Sequence, residues 1–351
     1  MKKCSRALAL LFTFAMALSL VSCGGDSSYI ATYKDEKIPA GVYLYQLVNA
    51  TQSAYAKVED SSKDVLKQDI DGQNAAIWIE KTAQQEMKRY LAVEREFEEL
   101  GLTLSSDAEN AAATQANTDW TNYGEWYEKN GISKDSLTQV YRNSAKKQQV
   151  FLTYYGEGGQ NAVSEEELKT YFADNFVKVK YLGVSWDTTK TGDELTAAKE
   201  EAKKTAEEYL SRAKDGESMD ALIQDYSNQQ KAENASEGDN VSIVDPAGVA
   251  EDTYATFLSK DGGTSFGEQF AARMKDMNAG DIEVVEGTSK YYVLAKYDVL
   301  EKEDDFASRR TSLLQKMKGD EYEEKLDEIA GGMDITLNEA AVNRYTAKKI
   351  K

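Results

Sequence analysis

The hydrophobic period of this chain changes twice, and that limits what it can fold into. Between residues 40 and 175, apolar side chains recur at helical spacing; at Val177 they begin to alternate, and from Glu303 helical spacing returns. Spacing near 3.6 buries one face of a helix, whereas alternation buries one face of a strand. One uniform helical bundle is therefore excluded. The pattern predicts an α+β chain in which a helical domain, residues 30–175 completed by 301–351, is interrupted by a compact α+β domain at 176–300.

Local signals divide these blocks further. Ile30 to Ile38 read as a hairpin turning at Lys34-Asp35-Glu36, and Pro39 can open a helix because its missing N–H costs nothing there. Leu44, Leu47, Val48, Tyr55 and Val58 give that helix its stripe, residues 59–73 read as irregular, and a second helix is expected from about Asn74 to Leu100. Ser106 with Glu109, and Ser164 with Glu167, have capping-box spacing. In the middle block Val177, Val179 and Tyr181 alternate with Lys178 and Lys180, which predicts a strand. Helices are expected at 194–214, near Met219–Tyr226 and around Phe266–Met277, and strands at Val241–Val244, Ile282–Val285 and Tyr291–Val299. Glu303 to Ala330 predicts a helix with acidic residues at its start, which suits the helix dipole.

The first residues carry a different message. Lys2, Lys3 and Arg6 precede an apolar run from Ala7 to Val21, which ends in Leu20-Val21-Ser22-Cys23 followed by Gly24 and Gly25. The run is too short for a spanning helix. It resembles the bacterial lipoprotein signal: residues 1–22 as signal peptide, residues 23–29 as tether, and Cys23 as the lipidated N-terminus. Acyl chains gain about 0.8 kcal/mol per buried methylene, so two of them hold a protein on a membrane. The expected location is extracytoplasmic, attached to the bacterial cell membrane through a lipid on Cys23.

Composition removes several functions. The formal charge is −19, and losing Lys2, Lys3 and Arg6 with the leader makes it −22. Such a surface argues against nucleic acid and suits partners that are basic and unfolded. Cys4 and Cys23 are the only cysteines, so no intramolecular disulfide can form in the processed chain. There is no histidine, which removes the commonest general base and zinc ligand. No metal or other cofactor is expected. The acidic runs Glu165-Glu166-Glu167, Asp304-Asp305 and Glu323-Glu324 sit at expected helix starts or on polar faces and read as dipole partners or solvated charge.

Several segments resemble the PrsA/SurA-type extracytoplasmic foldases, which combine a SurA-N-like helical chaperone domain with a parvulin-type prolyl isomerase domain. "IATYKDEKIPAGVY" resembles the family's opening, "GLTLSSDAE" and "NGISKDSL" its helix junctions, and "VSEEELKTYFADN" the lead into its second domain. "VKVKYLGV" is similar to that domain's first strand, "GESMDALIQDYSN" to its short-helix segment, and "AGDI" with "SKYYVLAK" to its final hairpin. "EGDNVSI" keeps Gly238 and Asp239 of a Gly-Asp turn. The resemblance implies a mainly helical chaperone domain with an inserted parvulin-like α+β domain, acting on unfolded or partly folded secreted polypeptides. A homodimer is compatible with it.

The departures fall on the site. Tyr181 and Tyr292 stand where the family places its two histidines, and Gln229 stands at its Cys or Asp position. Ile243, Phe266 and Phe270 correspond to the proline socket. Isomerisation needs no nucleophile; it needs a socket and a polar network around a carbonyl, against a rotational barrier of about 18–20 kcal/mol. With the network replaced, Tyr181 and Tyr292 read most simply as packing between strand and helix. The resemblance thus implies a membrane-anchored chaperone or foldase whose parvulin-like domain is weak or inactive. An active peptidyl-prolyl isomerase and an envelope lipoprotein binding a solute or partner are the alternatives. Exposed tyrosines among Tyr43, Tyr45, Tyr55, Tyr123 and Tyr127 are candidates for client contact.

Overall fold

A computed structural model describes residues 27–236 and 242–351. The leader, Cys23 and the Gly238-Asp239 turn lie outside the described residues. The fold is a mainly helical α+β one with small antiparallel sheets. Its described residues divide into two compact units, those up to 154 with 321–351, and those from 155 to 320. These boundaries differ from 175/176 and 300/301, and they put the first helix after residue 160 into the second unit.

In chain order, β1 (Tyr29–Tyr33) and β2 (Glu36–Pro39) form the expected hairpin, with Lys34 and Asp35 at φ 48° and 65° in its turn. Pro39 is the N-cap of α1 (Ala40–Lys57). Residues 59–73 contain a single helical turn at Val65–Lys67, and β3 (Asp69–Ile70) pairs with β4 (Gln73–Asn74). The Asn74 side chain caps α2 (Ala75–Glu99). The next cap is Ser105, not Ser106: its hydroxyl accepts from the Ala108 N–H and starts α3 (Ser106–Lys129) one residue early. After α4 (Lys134–Tyr155), Ser164 and Glu167 make the expected reciprocal capping box at α5 (Glu165–Asn175).

β5 (Phe176–Ser185), α6 (Gly192–Lys214) and α7 (Met219–Glu233) follow. No strand forms in the described part of Val241–Val244. The strand comes later, as β6 (Thr256–Ser259), where the adjacent Phe257 and Leu258 put one apolar side chain on each face. Phe266 lies in a separate helical turn just before α8 (Glu268–Asp276), and β7 (Ile282–Glu286) and β8 (Lys290–Tyr297) close the sheet. The helix expected over 303–330 is two helices, α9 (Glu303–Ala307) and α10 (Arg310–Gly331). The chain ends with β9 (Thr336–Leu337) and α11 (Glu339–Arg344).

The first unit is closed by residues far apart in sequence. Its core holds Ile30, Tyr43, Leu47, Ile79, Met87 and Leu137 together with Ala341 and Ala347. β9 adds to β1 with Ala31 opposite Leu337, making a sheet of order β2-β1-β9. Asn338 fixes this junction, donating its backbone N–H to Ile30 O and its side-chain amide to Tyr29 O, both at 2.8 Å. Truncation after Met333 therefore removes a strand and two buried alanines. We expect it to destabilise the unit by about 2 kcal/mol or more, read as a lower urea midpoint. An unchanged midpoint would show that the C-terminal segment is dispensable.

The second unit has an antiparallel sheet of order β6-β5-β8-β7. α6 and α7 cover one face, burying Leu182, Val184, Ala206, Leu222 and Val293. α8 covers the other, burying Val177, Val179, Met274, Val285 and Leu294. Period 2 sends odd-numbered residues of β5 toward α8 and even-numbered ones toward α7.

Candidate functional site

On the α8 face, Tyr181, Phe266, Phe270 and Tyr292 come together in one cluster. Each ring touches the other three, with centroids 4.7–5.8 Å apart. Phe266 and Phe270 stack, while the tyrosines meet them edge-to-face, the arrangement the ring quadrupoles favour. The strand register explains the tyrosines: Tyr181 of β5 and Tyr292 of β8 are diagonal neighbours on the same face, with Gly183 opposite Tyr292.

Two glycines make this packing fit. A Cβ at Gly183 would come within 2.9 Å of the Tyr292 ring, and one at Gly287 would collide with the other edge of that ring and with Phe266 O. The Thr288 N–H donates to Phe266 O at 3.1 Å and pins the Phe266 turn against the β7–β8 turn. Phe270 is fully buried and Tyr292 is 8 % exposed; Tyr181 and Phe266 keep partly exposed edges. Among the described residues no protein group hydrogen-bonds either tyrosine hydroxyl, and the two do not bond each other. Burial pushes the Tyr292 phenol up, with a smaller push from Tyr181, so it stays protonated near neutrality.

The other two predicted site residues do not join the cluster. Gln229 is exposed on α7, which packs on the opposite sheet face, and it donates to Asp225 at 3.2 Å. Ile243 is 56 % exposed; Asn228 of α7 holds the neighbouring Val244 backbone with bonds to both its C=O and N–H. The socket formed by Ile243, Phe266 and Phe270 is thus not assembled as three adjoining walls. Of the tyrosines considered for client contact, Tyr43 and Tyr127 are buried and Tyr45 is half-buried against Tyr141, while Tyr55 and Tyr123 are exposed.

The even face of β5 carries a second cluster that sequence reasoning missed. Lys178 and Lys180 would face water on an ordinary half-buried strand, yet both are buried. Lys178 Nζ lies 2.8 Å from Asp252 and 2.8 Å from Asp305; Lys180 Nζ lies 2.6 Å from Asp220 and 2.8 Å from Asp252; Lys302 lies 2.7 Å from Asp252. Asp220 also accepts backbone N–H groups from Asp252 at 3.1 Å and Tyr254 at 3.0 Å. Burial alone would lower both lysines, but their carboxylate partners outweigh it and raise them. Burial likewise works to raise Asp252, and the three ammonium groups overcome it, holding its carboxyl well below the usual range. The residues that could have signalled this lie 40 or more positions away, so no local pattern contains them.

Among the described residues no group of side chains has a metal-binding arrangement, and no helix is long and apolar enough to cross a membrane. No protein-family model matches the chain, and no curated protein matches it. Among solved structures the chain is similar to foldase protein PrsA from Lactococcus lactis at 13 % identity, covering 93 % of this chain and 100 % of that one, with a TM-score of 0.38. Foldase protein PrsA from Streptococcus pneumoniae matches at 14 % identity, with 83 % and 99 % covered and a TM-score of 0.37. PrsA from Bacillus subtilis matches at 17 % identity, with 75 % and 88 % covered and a TM-score of 0.33.

Two predictions come from these clusters. Phe270→Ala should cost about 3–5 kcal/mol, because it empties a fully buried ring site between two tyrosines; a urea midpoint equal to that of the unaltered protein would refute the packing role. Asp252, depressed in the folded state, contributes stability that is complete above the unfolded carboxylate pKa of about 3.9 and is lost as pH falls through that value toward the lower folded one. The urea midpoint of the second unit should therefore drop on acidification below about pH 4, and Asp252→Asn should flatten that acid limb. Equal acid limbs in the two proteins would rule the network out as its source.

Proposed function

We propose that this chain is a lipid-anchored extracytoplasmic folding factor that holds unfolded or partly folded secreted polypeptides, with a parvulin-like second unit of little or no isomerase activity. The observation that carries the second half of this reading is the four-ring cluster. Rotation about an X–Pro bond is accelerated by a polar network facing the twisting carbonyl. Tyr181 and Tyr292, at the positions where the resemblance expects that network, are packed against Phe266 and Phe270, and among the described residues neither hydroxyl has a hydrogen-bond partner. Gly183 and Gly287 leave room for the Tyr292 ring and little else.

The holding role rests on the resemblance, on the acidic charge, and on exposed aromatic surface such as Tyr55 and Tyr123, which presents apolar bodies with polar tips. The membrane attachment rests on the sequence around Cys23.

The test is a proline-limited refolding assay beside an aggregation assay, both with the protein lacking its leader. Uncatalysed X–Pro isomerisation takes tens to hundreds of seconds at 25 °C. The expected outcome is little or no shortening of that phase together with suppressed client aggregation. Strong acceleration that Tyr181→Phe or Tyr292→Phe abolishes would establish an active isomerase instead. Cys23→Ser should move the protein out of the membrane fraction, because the acyl chains supply nearly all the attachment; retention of the variant in that fraction would refute the anchor.

A further inference from the structure

The buried lysine–aspartate cluster holds the parts of a condensation reaction. Lys180 Nζ lies 2.6 Å from Asp220 Oδ2, and both side chains are almost fully buried, at 4 % and 2 % exposure. Asp252 Oδ1 lies 2.8 Å from the same nitrogen, within reach of one of its protons. Two backbone N–H groups already point at the Asp220 carboxylate: Tyr254 N–H to Oδ1 at 3.0 Å and Asp252 N–H to Oδ2 at 3.1 Å. The Tyr297 ring lies 4.8 Å from Lys180 Nζ and forms an apolar wall. Nucleophile, electrophile, proton carrier and donors for a developing oxyanion are thus within hydrogen-bonding distance of one another.

We propose that Lys180 and Asp220 condense into an intramolecular amide that covalently joins β5 to α7. A bond forms between Lys180 Nζ and Asp220 Cγ, and the bond from that carbon to one carboxylate oxygen breaks. Of the three ammonium protons one stays on the amide nitrogen, and two leave with that oxygen as water. Asp252 relays a proton from the ammonium to the departing oxygen, freeing the amine to attack; both groups' resting ionisation opposes that transfer and makes it rare. Positive and negative charge vanish together, so no oxidant, reductant or activated co-reactant is required. The resting ion pair opposes the reaction, since its partners favour the charged amine. Two features work the other way. Burial penalises the charges that the amide removes, and fixed juxtaposition gives intramolecular condensations very high effective concentrations. One turnover in the life of the molecule suffices.

The remainder of the cluster supports the assignment to this pair. With Lys180 and Asp220 neutralised, Lys178 and Lys302 still face Asp252 and Asp305, so the charges stay balanced. Lys178 is the alternative nucleophile, but its partners Asp252 and Asp305 are more exposed than Asp220, at 16 % and 19 %.

The experiment is denaturing mass spectrometry of the full chain beside its Lys180→Arg variant, followed by proteolytic peptide mapping. Arginine keeps the charge but does not form this amide. The expected result is an unaltered protein lighter by one water than its sequence requires, relative to the variant, and a joined pair of peptides carrying Lys180 and Asp220. Full mass in the unaltered protein overturns the proposal even where a variant folds poorly. Loss of water with only linear peptides, as an aspartyl cyclic imide would give, also overturns it. Asp252→Asn should leave most molecules at full mass; complete water loss with the joined pair in that variant would remove Asp252 from the reaction.

Discussion

The second unit depends on β5 being an interior strand with both faces covered. It lies between β6 and β8, and α7 and α8 close over its two sides. A strand in that position has both faces covered over most of its length, so residues on either face need an interior solution. Odd positions supply Val177, Val179 and Tyr181 to the α8 side; even positions would supply Lys178 and Lys180 to a dry interior, at a cost that only paired charges offset.

The two solutions differ in how they hold the unit together. The aromatic cluster is local to the sheet and α8 and rests on shape, with glycines at 183 and 287 cut away to admit one ring. The ionic cluster gathers side chains from β5, α7, the 251–254 segment and α9, and so ties a loop and two helices to the sheet. Gln224, Asn228 and Tyr254 extend it: Tyr254 donates to Gln224 at 2.6 Å, Gln224 donates to Asn228 at 2.9 Å, and Asn228 holds Val244. Val244 and Tyr254, on either side of the Pro246–Gly248 turn, are thereby anchored to α7 by hydrogen bonds.

This bears on function through what the aromatic side lacks. A site that twists a peptide bond needs an opening and polar groups aimed into it. Here the rings that would form the socket spend their faces on one another, and Ile243 and Gln229 stand elsewhere. Fold and site are separable, so an arrangement of this kind is compatible with the proposed loss of isomerase chemistry.

Much of the architecture was legible in the sequence because it is written in local periods. The hairpin at Lys34-Asp35, Pro39 before α1, the Ser164–Glu167 box and the switch to alternation at Val177 each depend on residues a few positions apart. Errors arose where two local solutions compete, as with Ser105 and Ser106 for one cap, or where a strand needs a partner to exist, as with β6 in place of 241–244. The sequence also determined that no histidine is there to take part. The burial of Lys178 and Lys180, the removal of Gln229 and Ile243 from the ring cluster, and the closing of β1 by β9 were decided only in three dimensions. Each depends on contacts between residues far apart in the chain, and local spacing contains no term for them.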